Sequence, residues 1–356
     1  MVTHGKGRWT VERIVLLRVV FLLLSAAILG SGCGGDGEPR TPAPSPTPRP
    51  VSLTLTRTLT HGNDANAIAF SPDGQVLASG GGDIGKPGTV KLWSTASWGE
   101  TESFPGFFRS VYSLAFLPGG GFLVGGGYEP AGRDVTLWEV PGGHIVWQHD
   151  RYMPRSVAVS PDGQWLAIAS ANDPDLEIVA LPNRRTFRVS TAHSRSILAL
   201  AFSSDGRRLA SGGADHVVKV WRVPDFTEEA QFVGHTAPVW SVAFSPDGQY
   251  VASGTIDSTA RIWRVSDRSA FRTYYQEYWV WSVAFSPDGE FLASGGNVPI
   301  RLYRVGSAAT EPVASAGATD YATAVLFSPD GRYLVSALAD NVQSTPGAVK
   351  VWSVSR

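Results

Sequence analysis

One short element constrains this chain more than anything else in it. "FSPDGQYVASG" at 244–254 belongs to a series opening at residues 70, 116, 159, 202, 244, 285 and 327. The first residues are 46, 43, 43, 42, 41 and 42 positions apart, a period too regular for chance. Each copy is followed by a second landmark, such as "VKLW" at 90–93 or "ARIW" at 260–263. The fourth position of that landmark is a large aromatic in six copies and Val179 in the third.

The physics of one unit follows from its residues. "SVAF" at 241–244 alternates small and large side chains, as a strand does. Pro246 then fixes φ, Asp247 caps the turn through its carboxylate, and Gly248 takes the left-handed position. "QYVASG" returns as a second strand and "ARIWRV" supplies a third; one more before the next turn completes a four-stranded antiparallel blade. A lone blade cannot bury both faces, whereas seven arranged radially can. The expected fold is therefore all-β, a seven-bladed β-propeller spanning 51–356. The last copy ends after its third strand, and a spare alternating strand, "VSLTLTRTLT" at 51–60, precedes the first turn. Pairing that strand with residues near 348–354 would close the ring and remove an open edge.

Spacing, turn and aromatic strand together resemble the WD-repeat β-propeller family over roughly 51–356. The resemblance implies a hydrogen-bonded His, Ser/Thr, Asp and Trp network within a blade. It falls on His61, Ser79, Asp83 and Trp93 in the first copy and on His193, Ser211, Asp215 and Trp221 in the fourth. In the fifth copy it falls on His235, Ser253, Asp257 and Trp263. The seventh keeps Ser336, Asp340 and Trp352 with Ala318 in place of histidine, and the second, third and sixth depart further.

These polar residues read as architecture, not chemistry. His61, His193 and His235 each lie nine residues before the large residue opening their turn, which is a structural register. His144 and His149, five apart, fit neither a strand face nor a helical metal pair, and read as solvated surface. The aspartates of "SPDG" are turn formers. No nucleophile elbow, zinc-helix motif or phosphate loop stands in a fitting context, and no helix follows "ASGGGD" or "LVGGGY" to receive a phosphate. The expectation is no enzyme, no catalytic residue, no metal and no cofactor. Formal net charge is −1, and lysine is scarce beside the aromatics, so a nucleic-acid groove is disfavoured.

The variable segments leading into the innermost strands are richer in information. The family resemblance puts them on one rim of the disc, where partners commonly bind. Phe107, Phe108, Arg109, Arg151, Tyr152, Arg155, Tyr278 and Trp279 crowd this region, and such side chains supply contact area at modest entropic cost. Tyr112, Trp240 and Trp281 fall within strand periodicity and are assigned instead to packing between blades.

The front of the chain is of another kind. Basic residues lead into an apolar run from Val19 to Leu29, short for a membrane span but suited to a signal-peptide core. Small residues then precede Cys33, the single cysteine. Residues 1–32 resemble a bacterial lipoprotein signal, which implies a lipid on Cys33, while the proline-rich 33–50 suits an extended tether. The expectation is an exported scaffold, anchored to the membrane through that lipid, that binds a protein partner in the cell envelope, or a secreted one if Cys33 is not lipidated. Two alternatives stay open: a small-molecule or glycan receptor using the aromatic rim, and a hydrolase or lyase in the central channel.

Overall fold

Each serine of the repeated turn folds the chain back on its own side chain. Ser245 Oγ donates to Asp247 Oδ1 at 2.5 Å and accepts from the Tyr250 N–H at 2.9 Å, while Gly248 sits at φ +66°. The same Ser–Asp bond recurs at Ser71–Asp73, Ser160–Asp162, Ser203–Asp205, Ser286–Asp288 and Ser328–Asp330. These turns also touch around the ring. Pro72 packs beside Gly120, Pro118 beside Gly163 and Pro161 beside Gly206. Where the fourth copy has Ser204 for proline, its hydroxyl donates to the Pro246 carbonyl at 2.6 Å instead.

A computed structural model describes residues 50–356 apart from 83–86, 131, 191, 298, 318–320 and 340–346. The expected signal segment 1–32, Cys33 and nearly all of the 33–50 tether lie outside the described residues, as do Asp83, Ala318 and Asp340. The described residues form seven four-stranded antiparallel sheets, blades 1 to 7 in chain order. Their innermost strands are Ala65–Phe70, Val111–Phe116, Pro154–Val159, Ile197–Phe202, Val239–Phe244, Val280–Phe285 and Ala322–Phe327. Neighbouring innermost strands pack together, and the seventh returns to the first, so the blades make a seven-bladed β-propeller. The outermost strand of blade 7 comes from the other end of the domain: Ser52–Thr60 pairs antiparallel with Ala348–Ser355, from Ser52 opposite Ser355 to Thr60 opposite Ala348.

Apolar clusters fill the spaces between adjacent blades, and the glycines of "ASGG" permit the approach. A Cβ on Gly254 would sit 2.8 Å from Val280 Cγ1 of the next blade, so a side chain there must push two blades apart. Polar staples join the innermost strands as well. Ser113, Ser156, Ser241 and Ser282 accept, at 3.0–3.1 Å, from the backbone N–H of Val157, Leu200, Val283 and Val325 in the following blade. Ala67 and Ala199 hold the equivalent positions in blades 1 and 4.

Every innermost strand carries the same irregularity. Its pairing with the second strand slips by one residue at its second position: Asn66, Tyr112, Arg155, Leu198, Trp240, Trp281 and Thr323. A bulge of this kind reverses the inward–outward parity of the strand, so Val239 and Val242 are both buried although three positions apart. The bulged residue points instead into the central channel, and all seven line it. Strand alternation assigns Tyr112, Trp240 and Trp281 to packing between blades; the bulge places them on the channel wall.

Candidate interaction face and central channel

The His–Ser–Asp–Trp network is best seen in blade 5. Trp263 Nε1 donates to Ser253 Oγ at 2.8 Å, and His235 Nε2 lies 2.7 Å from that same hydroxyl. His235 Nδ1 lies 2.9 Å from Asp257 Oδ2, which also accepts from the Thr236 N–H at 3.1 Å. One proton arrangement satisfies every atom: the hydroxyl accepts from the indole and donates to Nε2, leaving Nδ1–H to donate to the carboxylate. That is a neutral imidazole, and burial lowers the pKa of His235 even against the pull of Asp257. Blade 4 repeats the geometry, with His193 Nε2 2.7 Å from Ser211 Oγ and Nδ1 3.0 Å from Asp215 Oδ1. Burial alone would raise the Asp215 carboxyl, but hydrogen bonds from His193 and two backbone N–H groups outweigh it and hold the pKa at about 2.

Blade 1 differs in detail. Trp93 Nε1 still donates to Ser79 Oγ at 2.8 Å, but His61 Nε2 lies 3.4 Å from the Ser79 carbonyl oxygen, not the hydroxyl. Burial lowers the pKa of His61. In blade 6, Gln276 takes the histidine place, and its amide donates to Ser294 Oγ at 2.7 Å. Most of these polar atoms bond to one another, which makes the side chains a frame within each blade, while His61 Nδ1 and Gln276 Oε1 are buried without a partner among the described residues. Among the described residues, no three His, Cys, Asp or Glu side chains come together to hold a metal ion.

Two residues grouped with the rim by sequence belong to the interior. Phe107 is 4% exposed. It stands in the histidine slot of blade 2, where Gly125 replaces the serine and leaves no hydroxyl to bond; its ring packs edge-on against Trp138. Arg151 is likewise 4% exposed. Blade 3 has Ile168 and Val179 in place of serine and tryptophan, and its polar cluster is built otherwise. Arg151 bridges Asp173 at 2.9 Å and the buried Glu177 at 3.1 Å, and donates to the Asp175 carbonyl. His149 is not a solvated surface group: its Nε2 lies 2.5 Å from Glu177 Oε1 and its ring stacks on Trp147.

The other rim residues fall into two places. Phe108, Arg109, Tyr152, Tyr278 and Trp279 are exposed on the loops leading into the innermost strands of blades 2, 3 and 6. The Arg109 guanidinium lies over the Tyr128 ring at 5.1 Å, and Tyr128 meets Tyr152 edge-on at 6.5 Å, so blades 2 and 3 share one surface cluster. Tyr128 lies on a loop between the second and third strands, which is why the sequence reading missed it. Arg155 sits in the channel, a cavity of about 610 Å³. The channel lining among the described residues contains no aspartate, glutamate, histidine or lysine.

Comparisons with known proteins agree with this architecture. The WD domain, G-beta repeat, matches residues 53–94, 184–222, 226–264, 270–297 and 311–353, more than half of the chain. The unmatched stretch between the first two covers most of blades 2 and 3, where phenylalanine and arginine replace the polar network. An uncharacterized WD repeat-containing protein, sll1491, of Synechocystis is 28% identical over 45% of this chain and 42% of its own length. Transducin beta-like protein 3 of Bos taurus is 30% identical over 44% of the chain and 19% of its own. Elongator complex protein 2 of Dictyostelium discoideum is 25% identical over 47% of the chain and 15% of its own. The chain thus spans well under half the length of these relatives. Turn, period, blade architecture and matched repeats agree: this chain belongs to the WD40 repeat family.

Proposed function

We propose that this propeller is a non-catalytic protein-interaction scaffold, displayed at the bacterial cell envelope through a lipid on Cys33. The observation that carries the reading is the exposed cluster of Phe108, Arg109 and Tyr152 beside the channel mouth, with Tyr278 and Trp279 on blade 6. Such large, amphipathic side chains are costly to leave in water and are the types that dominate binding energy at protein interfaces. A relative whose printed name assigns it to a complex supports the same reading. The rings of Tyr128 and Tyr152 are inclined at 73°, which suits an irregular protein surface better than the parallel platform a sugar ring would need. The acid-free channel lining argues against the hydrolase and lyase alternatives.

The test is crosslinking capture from native membranes, comparing wild type with a variant carrying Arg109→Ala, Tyr152→Ala and Tyr278→Ala. A defined envelope protein captured by the wild type and lost in the folded variant supports the scaffold and its face. Equal capture by both sinks the face assignment. A Cys33→Ser chain recovered in the membrane fraction as fully as wild type would overturn the lipid anchor.

A further inference from the structure

Among the described residues lining the channel, Arg155 alone carries a formal charge. The Arg155 guanidinium lies 5.5 Å from the Tyr112 ring centroid and 5.1 Å from that of Trp240, reaching past the smaller Leu198 of blade 4. Ring faces attract a cation, but they leave the in-plane N–H fork without an acceptor. No salt bridge joins Arg155 to a carboxylate of the described residues, and burial pushes its pKa below the ordinary arginine value. Arg151, four residues earlier and fully buried, is treated differently: it has both Asp173 and Glu177.

A second donor beside it is also unmatched. Trp240 Nε1 is buried and has no hydrogen-bond partner among the described residues. Its neighbour Trp281, 5.2 Å away between ring centroids, shows the satisfied alternative by donating Nε1–H to Asn297 Oδ1 at 2.6 Å. An unpaired buried N–H costs free energy, and so does a desolvated cation without a counter-charge. Arg155, partly buried, and Trp240 both line one cavity whose volume, about 610 Å³, is in the range that holds small ligands.

We propose that the channel mouth is a binding site for a small organic acid, whose carboxylate pairs with the Arg155 guanidinium and the Trp240 indole N–H. Its flat apolar body lies against Trp281, Tyr112 and Leu198. A carboxylate matches the planar fork in a bidentate pair, and a single cation with aromatic walls fits a monoanion better than a multiply charged phosphate. The bulge in each innermost strand supplies the site, because it is the bulged residue that turns to the channel. The proposal is independent of any protein partner on the rim.

The test is calorimetric titration of the full chain with 3-phenylpropionate and 2-naphthoate, their primary amides, and phenyl phosphate. The indole N–H of Trp240 is followed in parallel by NMR, assigned by its loss in Trp240→Phe. A carboxylate binding at one site, with its amide weaker by on the order of tenfold or more, is the expected result. Arg155→Gln reduces carboxylate affinity by a similar factor, Arg155→Lys by less, and the Trp240 signal moves with carboxylate alone. The Trp240 shift is read in the wild type, so it stands even if an Arg155 variant unfolds. Equal affinity for acid and amide, tighter binding of phenyl phosphate, an unmoved Trp240 signal, or no binding by about 10 mM ligand would each overturn the site.

Discussion

Phe107 meets Trp138 edge-on, with ring centroids 5.6 Å apart and planes at 73°, and His235 meets Trp263 at 5.6 Å and 75°. A phenyl ring thus holds the histidine place in blade 2 with the geometry unchanged and the hydrogen bonds removed. In blades 2 and 5 the slot packs a ring against the indole whether or not the polar network is present, whereas blade 6 fills it with Gln276 and keeps only a hydrogen bond to Ser294. Phe107→Ala is expected to destabilise the domain by about 3–4 kcal/mol through the cavity left beside Trp138 and Gly127. Phe107→His should also destabilise, because Gly125 offers its imidazole no hydroxyl. Denaturant midpoints of the two variants check both statements, and a neutral Phe107→His would refute the second.

The blade 3 cluster invites a paired substitution. Arg151→Met leaves the buried Glu177 short of its closest guanidinium and should cost about 3 kcal/mol or more. Adding Glu177→Met removes the stranded carboxylate and should recover a substantial part of the loss. Equilibrium unfolding of the single and double variants measures the recovery; none would mean that the cluster contributes through shape and not charge.

Stability should fall with acid in two stages. His61 and His235 have folded pKa values below the ordinary 6.5, so the unfolded chain takes up their protons first. Their contribution is complete above about pH 6.5 and is lost as pH drops through the lowered values. Asp215, held at about 2 against an ordinary 3.8, stabilises above the latter and loses that contribution as pH falls towards 2. Denaturant midpoints measured against pH should show the first decline beginning near neutrality in wild type and weakened in a His61→Gln, His235→Gln chain. An identical profile in that chain would assign the decline to other groups.

Between blades, the Ser241 staple is a single replaceable bond. Ser241→Ala leaves the Val283 N–H without its acceptor and should cost about 1 kcal/mol, while the matching Ala199→Ser gives Val242 N–H an acceptor. Hydrogen exchange at Val283 should speed up in the first variant. Unchanged protection there would show that the bond does not hold the blades together.

How much of this was legible is best judged residue by residue. The turn and its period were on the surface of the sequence because proline, aspartate and glycine at fixed offsets have few conformations open to them. The closing strand was legible because alternation at 51–60 had no partner nearby. The channel wall was not. A bulge shifts parity by one residue without changing composition, so Trp240 and Trp281 read as strand-packing residues until register was known. Phe107 was hidden for a related reason: it lies nine residues before Phe116, at the histidine spacing, but a phenylalanine in a blade without the serine carries no mark of the slot. Gln276 stands before Ser294 as the histidines stand before their serines, yet a glutamine in a loop carries no signal by itself. Arg151 was misplaced because its acids lie across the blade, more than twenty residues ahead in the chain.

The seam between Ser52–Thr60 and Ala348–Ser355 has a mechanical meaning as well. Six blades are continuous stretches of chain, and only the seventh is held together across some three hundred residues by noncovalent pairing. Force arriving through Val51 along the strand axis loads the whole ladder at once, in shear. Force applied across the strand would peel it one pair at a time. The direction in which the domain is pulled therefore decides whether the seam behaves as a clamp or as a zipper.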